Sequence, residues 1–225
     1  FIESENKSDE QKYGREVLNK FLKSVWRRPV TSQEVSQFMV LFAEYRPEFS
    51  SFEEAMLEVL ATTLATPEFL YLTQRATADG TDGPPGISDL ELASRLSFFL
   101  WSSIPDDELL GLAEQGALGE PAVLTSQVNR MLADPRSKRF SENFVQQWLG
   151  LNGLDSVTHV TDSSLKEAIQ QEPIAFFDEV LKHNSSIMDF IHSDYAVVNE
   201  RLAAHYRIRD VYGPHFRKVS IESQT

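Results

Sequence analysis

Histidines and the carboxylates near them are the residues of this sequence best suited to metal binding or acid–base catalysis. The histidines are His159, His183, His192, His205 and His215. The densest group is Asp189, His192 and Asp194, and His205 follows on a separate predicted element. Their spacing matches no His-Glu-x-x-His or comparable metal motif. We therefore keep these four residues as candidates, predict no metal or cofactor site in the chain, and favour capping and turn roles around a short helix.

The sequence lacks the residues and motifs that several other active-site chemistries require. The chain has no cysteine, which excludes disulfides, thiolate zinc sites, thiol nucleophiles and the Cys-x-x-Cys-His attachment of c-type haem. It has no Gly-x-Ser-x-Gly elbow and no glycine-rich phosphate loop. His205-Tyr206 could supply an axial haem ligand, but a lone histidine on an amphipathic helix more often packs and bonds to a carbonyl. Whether the chain is catalytic stays open at this point, and the sequence favours a non-catalytic role.

Charge limits the possible partners. The 34 acidic and 21 basic residues give a net charge of -13, which repels nucleic-acid phosphates and anionic lipid headgroups. This argues against a helix-turn-helix nucleic-acid binder, which short helices with tight turns would otherwise suggest. The one local basic concentration favours a solvated face over a docking site for an acidic partner, and it consists of Arg130, Arg136, Lys138 and Arg139. No apolar run reaches the roughly 18 to 20 residues that span a bilayer.

The elements that must position these residues are helices. Apolar residues recur at three-to-four spacing, and strict period-two alternation is short wherever it occurs, so we predict an all-α, multi-helical fold without a substantial sheet. Capping boxes at 31–34 and 51–54 open the second and third helices. With the first helix they predict a small three-helix bundle over residues 11–75.

A larger helical domain is predicted over residues 87–218. A stretch rich in glycine and proline, 76–86, predicts a linker, so the bundle is either packed on the larger domain or only joined to it. A capping box at 88–91 opens a helix whose body, 92–101, is apolar nearly all round, which predicts a central position.

Three features of this larger domain carry further predictions. Arg95 is the charged exception on the apolar helix and would need a partner if it were buried. Pro173 should bend or restart a long helix that begins at about Asp162. The tryptophans fall on apolar stripes, which favours core packing over sugar stacking, and they are Trp26, Trp101 and Trp148.

Several long motifs resemble a known tandem of domains. The N-terminal motifs are RRPVT (27–31), SFEEA (51–55) and TPEFLY (66–71). The later motifs are ELASRLSFFLWS (91–102), PDDELL (105–110), RMLADPR (130–136), QWLGL (147–151) and NERLAAHY (199–206). Together they resemble a pair of planctomycete-specific domains of unknown function over about residues 15 to 218. Two departures are Arg207, where the family usually has Gly, and Pro173, in a helix that is normally continuous.

The resemblance implies a setting more than a reaction. Proteins of this family are large, exported and multi-domain, and the helical pair accompanies a cytochrome-c-like haem domain and sometimes a carbohydrate-binding module. It therefore implies an extracytoplasmic location, periplasmic or cell-surface, with haem c elsewhere in the full-length protein and other domains of the same polypeptide as the first partners. The chain opens at Phe1 without a start Met or a signal peptide, so we expect it to be part of a longer polypeptide.

Two functions remain open at this point. The favoured one is a non-catalytic helical scaffold or interaction module of an exported, cytochrome-c-associated protein. The alternative is an accessory part of an oxidoreductase or polysaccharide-acting enzyme, to which Asp189, His192, Asp194 and His205 would contribute and which missing domains would complete. Convergence of those four side chains would favour the alternative, and dispersion would favour the module.

Overall fold

The computed structural model describes residues 2–71, 86–156 and 161–221. Within them the predicted all-α class is confirmed, since helices dominate and the one sheet is small. The α-helices are α1 Glu10–Trp26, α2 Ser32–Tyr45, α3 Phe52–Thr63, α4 Pro67–Leu70, α5 Asp89–Trp101, α6 Asp107–Glu114, α7 Pro121–Ala133, α8 Lys138–Leu149, α9 Ser163–Lys182 and α10 Glu200–Tyr206. The strands are β1 Tyr195–Val198 and β2 Arg217–Ser220, and short 3₁₀ turns cover Arg46–Glu48, Pro135–Ser137, Leu151–Ser156 and Ile187–Phe190.

The contacts divide the chain into two compact units, residues 1–128 and 129–225. The predicted linker over 76–86 falls almost wholly outside the described residues. The predicted domain boundaries, 11–75 and 87–218, therefore stay predictions.

Helices α1, α2 and α3 form a hydrophobic core in the first unit. Its buried residues are Tyr13, Val17, Leu18, Leu22, Val25, Trp26, Val35, Met39, Phe42, Phe52, Ala55, Met56 and Val59. These are the apolar faces that the helical spacing predicts. Gly14 permits the close packing of the three helices, because a Cβ there would lie 3.1 Å from Met56 Cε and 3.2 Å from Met39 Cε.

Two of the three predicted capping boxes are complete. Thr31 Oγ1 accepts from the Glu34 amide at 3.2 Å, and the Glu34 carboxylate accepts from the Thr31 amide at 2.8 Å. The same reciprocal pair joins Ser88 and Glu91 at the start of α5. Each box satisfies two amides that have no partner within the helix.

The third predicted box is only half formed. Ser51 Oγ accepts from the Glu54 amide at 3.2 Å, as expected for the N-cap of α3. The Glu54 carboxylate, however, accepts from the amide and hydroxyl of Ser50, at 3.2 and 2.6 Å. Ser50, which precedes the N-cap Ser51, offers the carboxylate an amide and a hydroxyl donor, and the hydroxyl is the shorter contact.

The apolar helix α5 buries one face, contrary to the predicted central position. Its buried residues are Ala93, Ser94, Ser97, Leu100 and Trp101. Phe98 and Phe99 lie exposed on the other face, and so does Arg95. The apolar composition of α5 suggests a helix with neighbours on all sides. Among the described residues, α5 instead packs through one face, as an amphipathic helix does.

In the second unit, α9, α10 and the sheet share a core. Its buried members are Ala168, Val198, Leu202, Ala203 and Val211. The antiparallel sheet pairs Tyr195 with Ser220 and Val198 with Arg217. Sequence reasoning missed both strands, because four residues are too few for period-two alternation to stand out.

Helix α9 continues through Pro173, so the predicted restart is wrong, and the predicted bend stays a prediction. A proline removes one helical N–H, which is a local loss. Residues on both sides of it are buried, Ala168 before and Ile174 and Val180 after, and their packing holds the helix together across the missing bond.

Candidate functional site

The structure does not bring Asp189, His192 and Asp194 together as a group of metal ligands. Asp189 lies in the 3₁₀ turn, where its Oδ2 accepts from the Tyr195 hydroxyl at 2.9 Å. His192 and Asp194 are exposed on the segment that leads into β1. Across the described residues, no three histidine or carboxylate side chains are grouped so that they could hold a metal ion.

His205 lies on α10 beside Tyr206 and apart from any such group. Its ring is exposed, with its centroid 5.3 Å from the Tyr206 ring. Of the other histidines, His183 has Nδ1 3.0 Å from the carbonyl of Glu179, His215 is exposed, and His159 lies outside the described residues.

A carboxyl–phenol pair that the sequence did not signal joins α9 to α10. The Tyr206 hydroxyl donates to Glu172 Oε2 at 2.6 Å. Burial raises the pKa of the Glu172 carboxyl, while the hydrogen bond from Tyr206 and the charge of His205 act in the opposite direction. Burial and the bond to Glu172 also raise the pKa of Tyr206. The pair is 34 residues apart in sequence, so no local motif could have revealed it.

Two residues of the predicted basic concentration, Arg136 and Lys138, are paired with carboxylates. Arg136 binds Asp134 through Nε and Nη2 at 2.9 and 2.8 Å, and Lys138 lies 3.5 Å from Glu142. Hydrogen bonds from the Arg136 side chain and amide lower the pKa of Asp134 to about 2. The pairing favours a structural role for these charges over an anion-docking one.

Among the described residues of the first unit, Arg27 is the one charged residue that is buried. It follows α1 in the left-handed conformation, at φ 59°, and only 5% of its surface is exposed. Nη1 donates to the carbonyls of Val25 and Phe69 at 2.8 and 3.4 Å, and Nη2 donates to those of Glu68 and Tyr71 at 2.8 and 3.2 Å. The guanidinium thus holds the end of α4 against the end of α1.

The residues on either side of Arg27 strengthen this junction. Trp26 Nε1 donates to Thr66 Oγ1 at 3.0 Å. Arg28 lies over the Trp26 ring at 4.8 Å and binds both carboxylate oxygens of Glu34, at 2.7 and 3.3 Å. Its hydrogen bonds are the largest cause of the Glu34 pKa falling to about 2. The motifs at 27–31 and 66–71 therefore form one contact site.

A network of rings links α8, α9 and the 3₁₀ turn in the second unit. Phe144 lies 5.3 Å from Phe177 between centroids, Trp148 lies 5.9 Å from Phe190, and Phe190 lies 5.8 Å from Phe177. Phe176 stacks on Tyr195 at 5.2 Å, which continues the network to β1. Offset and edge-to-face pairs of this kind stabilise an aromatic cluster.

One side of this network is open to solvent, which corrects the predicted burial of Trp148. Trp148 is 55% exposed, whereas Trp101 is fully buried and Trp26 nearly so. On α8 the buried residues are Ser141 and Val145. Phe144 and Trp148 lie on the adjacent face of the helix, which is exposed. We call the exposed residues here the apolar surface, and they are Phe144, Trp148, Leu149, Ile187, Met188 and Ile191.

Family comparison decides the classification of the chain. The model of the family described as protein of unknown function (DUF1592) matches residues 87–208, more than half of the chain. The chain belongs to the DUF1592 family. A second model, described as protein of unknown function (DUF1595), matches residues 13–74. No curated protein and no solved structure matches the chain.

The DUF1592 region contains the apolar surface, the Glu172–Tyr206 pair and the four candidate residues. The DUF1595 match contains Arg27 and the motifs that it joins. The predicted pair of domains of unknown function is thus confirmed, and the planctomycete origin and cytochrome-c association stay predictions. No helix in the described part of this DUF1592 protein is long and apolar enough to cross a membrane.

Arg207 has a backbone conformation that suits glycine, the residue that the resemblance implies after the His-Tyr of the NERLAAHY motif. It is the C-cap of α10 and has φ 63°. That left-handed conformation suits glycine, because a side chain there crowds the backbone. Arg207 is therefore a non-glycine residue in a strained backbone conformation.

Proposed function

We propose that this DUF1592 chain is a non-catalytic helical interaction module, whose apolar surface docks another domain of the same polypeptide. The observation that carries the proposal is the exposure of Trp148 together with five further apolar side chains of α8 and of the segment 187–191, whose Phe190 the Trp148 ring contacts. Large exposed apolar patches on folded domains commonly mark interaction sites. Aromatic residues and methionine are also enriched at protein interfaces.

The charges beside the surface favour a particular partner chemistry. Asp189 lies between Met188 and Ile191 in sequence, and Asp194 follows them, exposed. The whole chain carries a net charge of -13. A partner with an apolar centre and a basic border would match both features, because complementary charge steers encounter and fixes orientation.

The resemblance to planctomycete-specific domains supplies the setting of the proposal. In the proposed setting, the chain functions outside the cytoplasm. The domain that docks on its apolar surface is the cytochrome-c-like domain that holds haem c. The chain would then orient the haem domain and take no part in electron transfer. The dispersion of Asp189, His192 and His205 supports this reading over the accessory-enzyme alternative.

Site-specific photo-crosslinking tests the proposal. A photoreactive phenylalanine analogue replaces Trp148 in the longest natural polypeptide that carries this chain, and the matched control places it at Glu44, exposed on α2. We expect crosslinks from position 148 to an apolar, basic-bordered surface of another domain in the same polypeptide. Crosslinks no more frequent at 148 than at 44 would contradict the proposal, and crosslinks only to a second copy or to a separate protein would reject the stated partner.

A further inference from the structure

A cavity of about 110 Å³ opens beside Arg27 in the first unit. Its lining includes Trp26, Arg27, Arg28, Tyr71, Ser88 and Arg95. We propose that this cavity binds a carboxylate group, held between the guanidinium groups of Arg27 and Arg95. This ligand site is independent of the apolar surface and goes beyond the interaction role.

Arg27 supplies a buried charge with one donor to spare. Its four hydrogen bonds to carbonyls all come from Nη1 and Nη2, and its Nε makes none with a described residue. Nε is also absent from the fully buried side-chain atoms without a partner, among which the described residues include only Ser97 Oγ. Nε therefore has access to solvent, and the cavity is the space that Arg27 lines.

Arg95 supplies a second guanidinium without a competing partner. It is exposed at the cavity and makes no hydrogen bond or ion pair with a described residue. The sequence marks it as the one charged residue in an apolar helix body. An arginine in that position is explained if its fork of N–H groups meets a planar carboxylate.

The remaining charges favour a singly charged ligand. Arg28 is paired with Glu34, and the Glu91 carboxylate caps α5 through the Ser88 amide. Glu68 and Glu91 bring two negative charges to the lining, against Arg27 and Arg95. The start of α5 adds the positive end of a 13-residue helix. A monoanion suits this near balance better than a dianion such as phosphate.

The cavity also has the right size. One water needs roughly 10 to 15 Å³ of such volume, so about 110 Å³ has room for several. A carboxylate group with one or two attached carbons fits that space. The group could come from a small free acid or from the C-terminus of a peptide, and the shared chemistry is the carboxylate.

NMR titration of the purified chain tests the site. The signals followed are the arginine side-chain Nε–H groups, and the ligands are acetate, an N-acetylated tripeptide, its C-terminal amide, and phosphate, at constant ionic strength. We expect saturable shifts at Arg27 and Arg95 with acetate or the free tripeptide, and none with the amide. Equal affinity for both indicates a small acid, and tighter tripeptide binding indicates a peptide terminus.

Three variants should change the affinity for a carboxylate in three different ways. Arg95→Gln should weaken binding about tenfold or more, because it removes a charge-assisted contact. Glu68→Gln should tighten binding, because it removes a repelling carboxylate from the lining. Arg15→Gln, on the exposed side of α1, is the charge-matched control and should change nothing. The site is refuted if no carboxylate shifts these signals, if phosphate binds more tightly, or if Arg95→Gln behaves like Arg15→Gln.

Discussion

Arg27 Nη2 donates a 2.8 Å hydrogen bond to the backbone carbonyl of Glu68, which lies 41 residues further along the chain. This bond and those to the carbonyls of Phe69 and Tyr71 connect the sequence motifs at 27–31 and 66–71, which lie far apart in the chain. The hydrogen-bond partners of the Arg27 guanidinium among the described residues are all backbone carbonyls, and none is a carboxylate. Stability and ligand binding in the first unit both depend on this junction.

Replacing Arg27 should destabilise the chain strongly. Arg27→Met removes four hydrogen bonds from a buried site and leaves carbonyls without donors, which predicts a loss of about 3 kcal/mol in unfolding free energy. Arg15→Met, at an exposed position, should cost less than about 0.5 kcal/mol. Urea unfolding followed by circular dichroism measures both, and equal losses would show that the Arg27 junction contributes little.

Arg207 offers a stabilising change. Arg207→Gly should raise the unfolding free energy by about 1 kcal/mol, because glycine adopts φ 63° without crowding its neighbours. Arg207→Ala is the matched control, since alanine also lacks the long side chain but keeps the Cβ. In thermal unfolding, the glycine variant should melt above the alanine variant. The opposite order would mean that the arginine side chain matters more than the backbone strain.

The Glu34 carboxylate predicts a specific acid dependence. Its pKa falls from 4.5 to about 2 in the folded chain, chiefly through hydrogen bonds from Arg28. A lowered carboxyl pKa stabilises the fold above the unfolded value, and that contribution is lost as pH falls from about 4.5 to about 2. The unfolding free energy of Glu34→Gln should therefore lie below that of the parent at neutral pH and approach it near pH 2.

Glu44→Gln is the control for the loss of one exposed carboxylate, on the same helix as Glu34. Chemical unfolding of all three proteins across that pH range makes the comparison. If the gap between the parent and Glu34→Gln stays constant from neutral pH to pH 2, the Arg28–Glu34 pair does not stabilise the fold.

The Glu172–Tyr206 pair predicts the direction of a titration shift. Burial raises the pKa of Glu172, and the hydroxyl of Tyr206 opposes that rise by donating to the carboxylate. Tyr206→Phe should therefore raise the Glu172 pKa further, as measured by ¹³C NMR of its carboxyl group. Tyr212→Phe, at an exposed position, is the control. An unchanged or lower pKa in Tyr206→Phe would show that the hydrogen bond is absent in solution.

The same pair predicts how stability varies with pH. Because the folded pKa of Glu172 is raised, its contribution is fully present below the unfolded value of 4.5 and is lost as pH rises through the folded value. This direction is opposite to that of Glu34. The two carboxyls can therefore be distinguished by the sign of their effects on acid stability.

The sequence predicted those features that depend on neighbouring residues. Helical spacing located the α1–α3 core, and the serine and threonine caps of α2, α3 and α5 were recognisable from residue type. The contacts of Arg27 and Tyr206 join residues far apart in sequence, so they need the fold. The exposure of Trp148 also required the structure, because an apolar stripe predicts a buried face and does not show whether a neighbour covers it.

The continuity of α9 through Pro173 has a similar lesson. Local propensity argues for a break there, and the buried residues on both sides outweigh it. β1 was missed because it has only four residues, and its adjacent Val197 and Val198 are both buried, so alternation along the strand is not visible.

Solvent accessibility of Trp148 tests the central claim most directly. Hydroxyl-radical footprinting compares this chain alone with the longest natural polypeptide that carries it, reading Trp148 and Met188 against the buried Trp101 as internal reference. The interaction role predicts fast oxidation of Trp148 and Met188 in the chain alone and protection of both in the longer polypeptide. Equal oxidation in the two samples would contradict docking at the apolar surface.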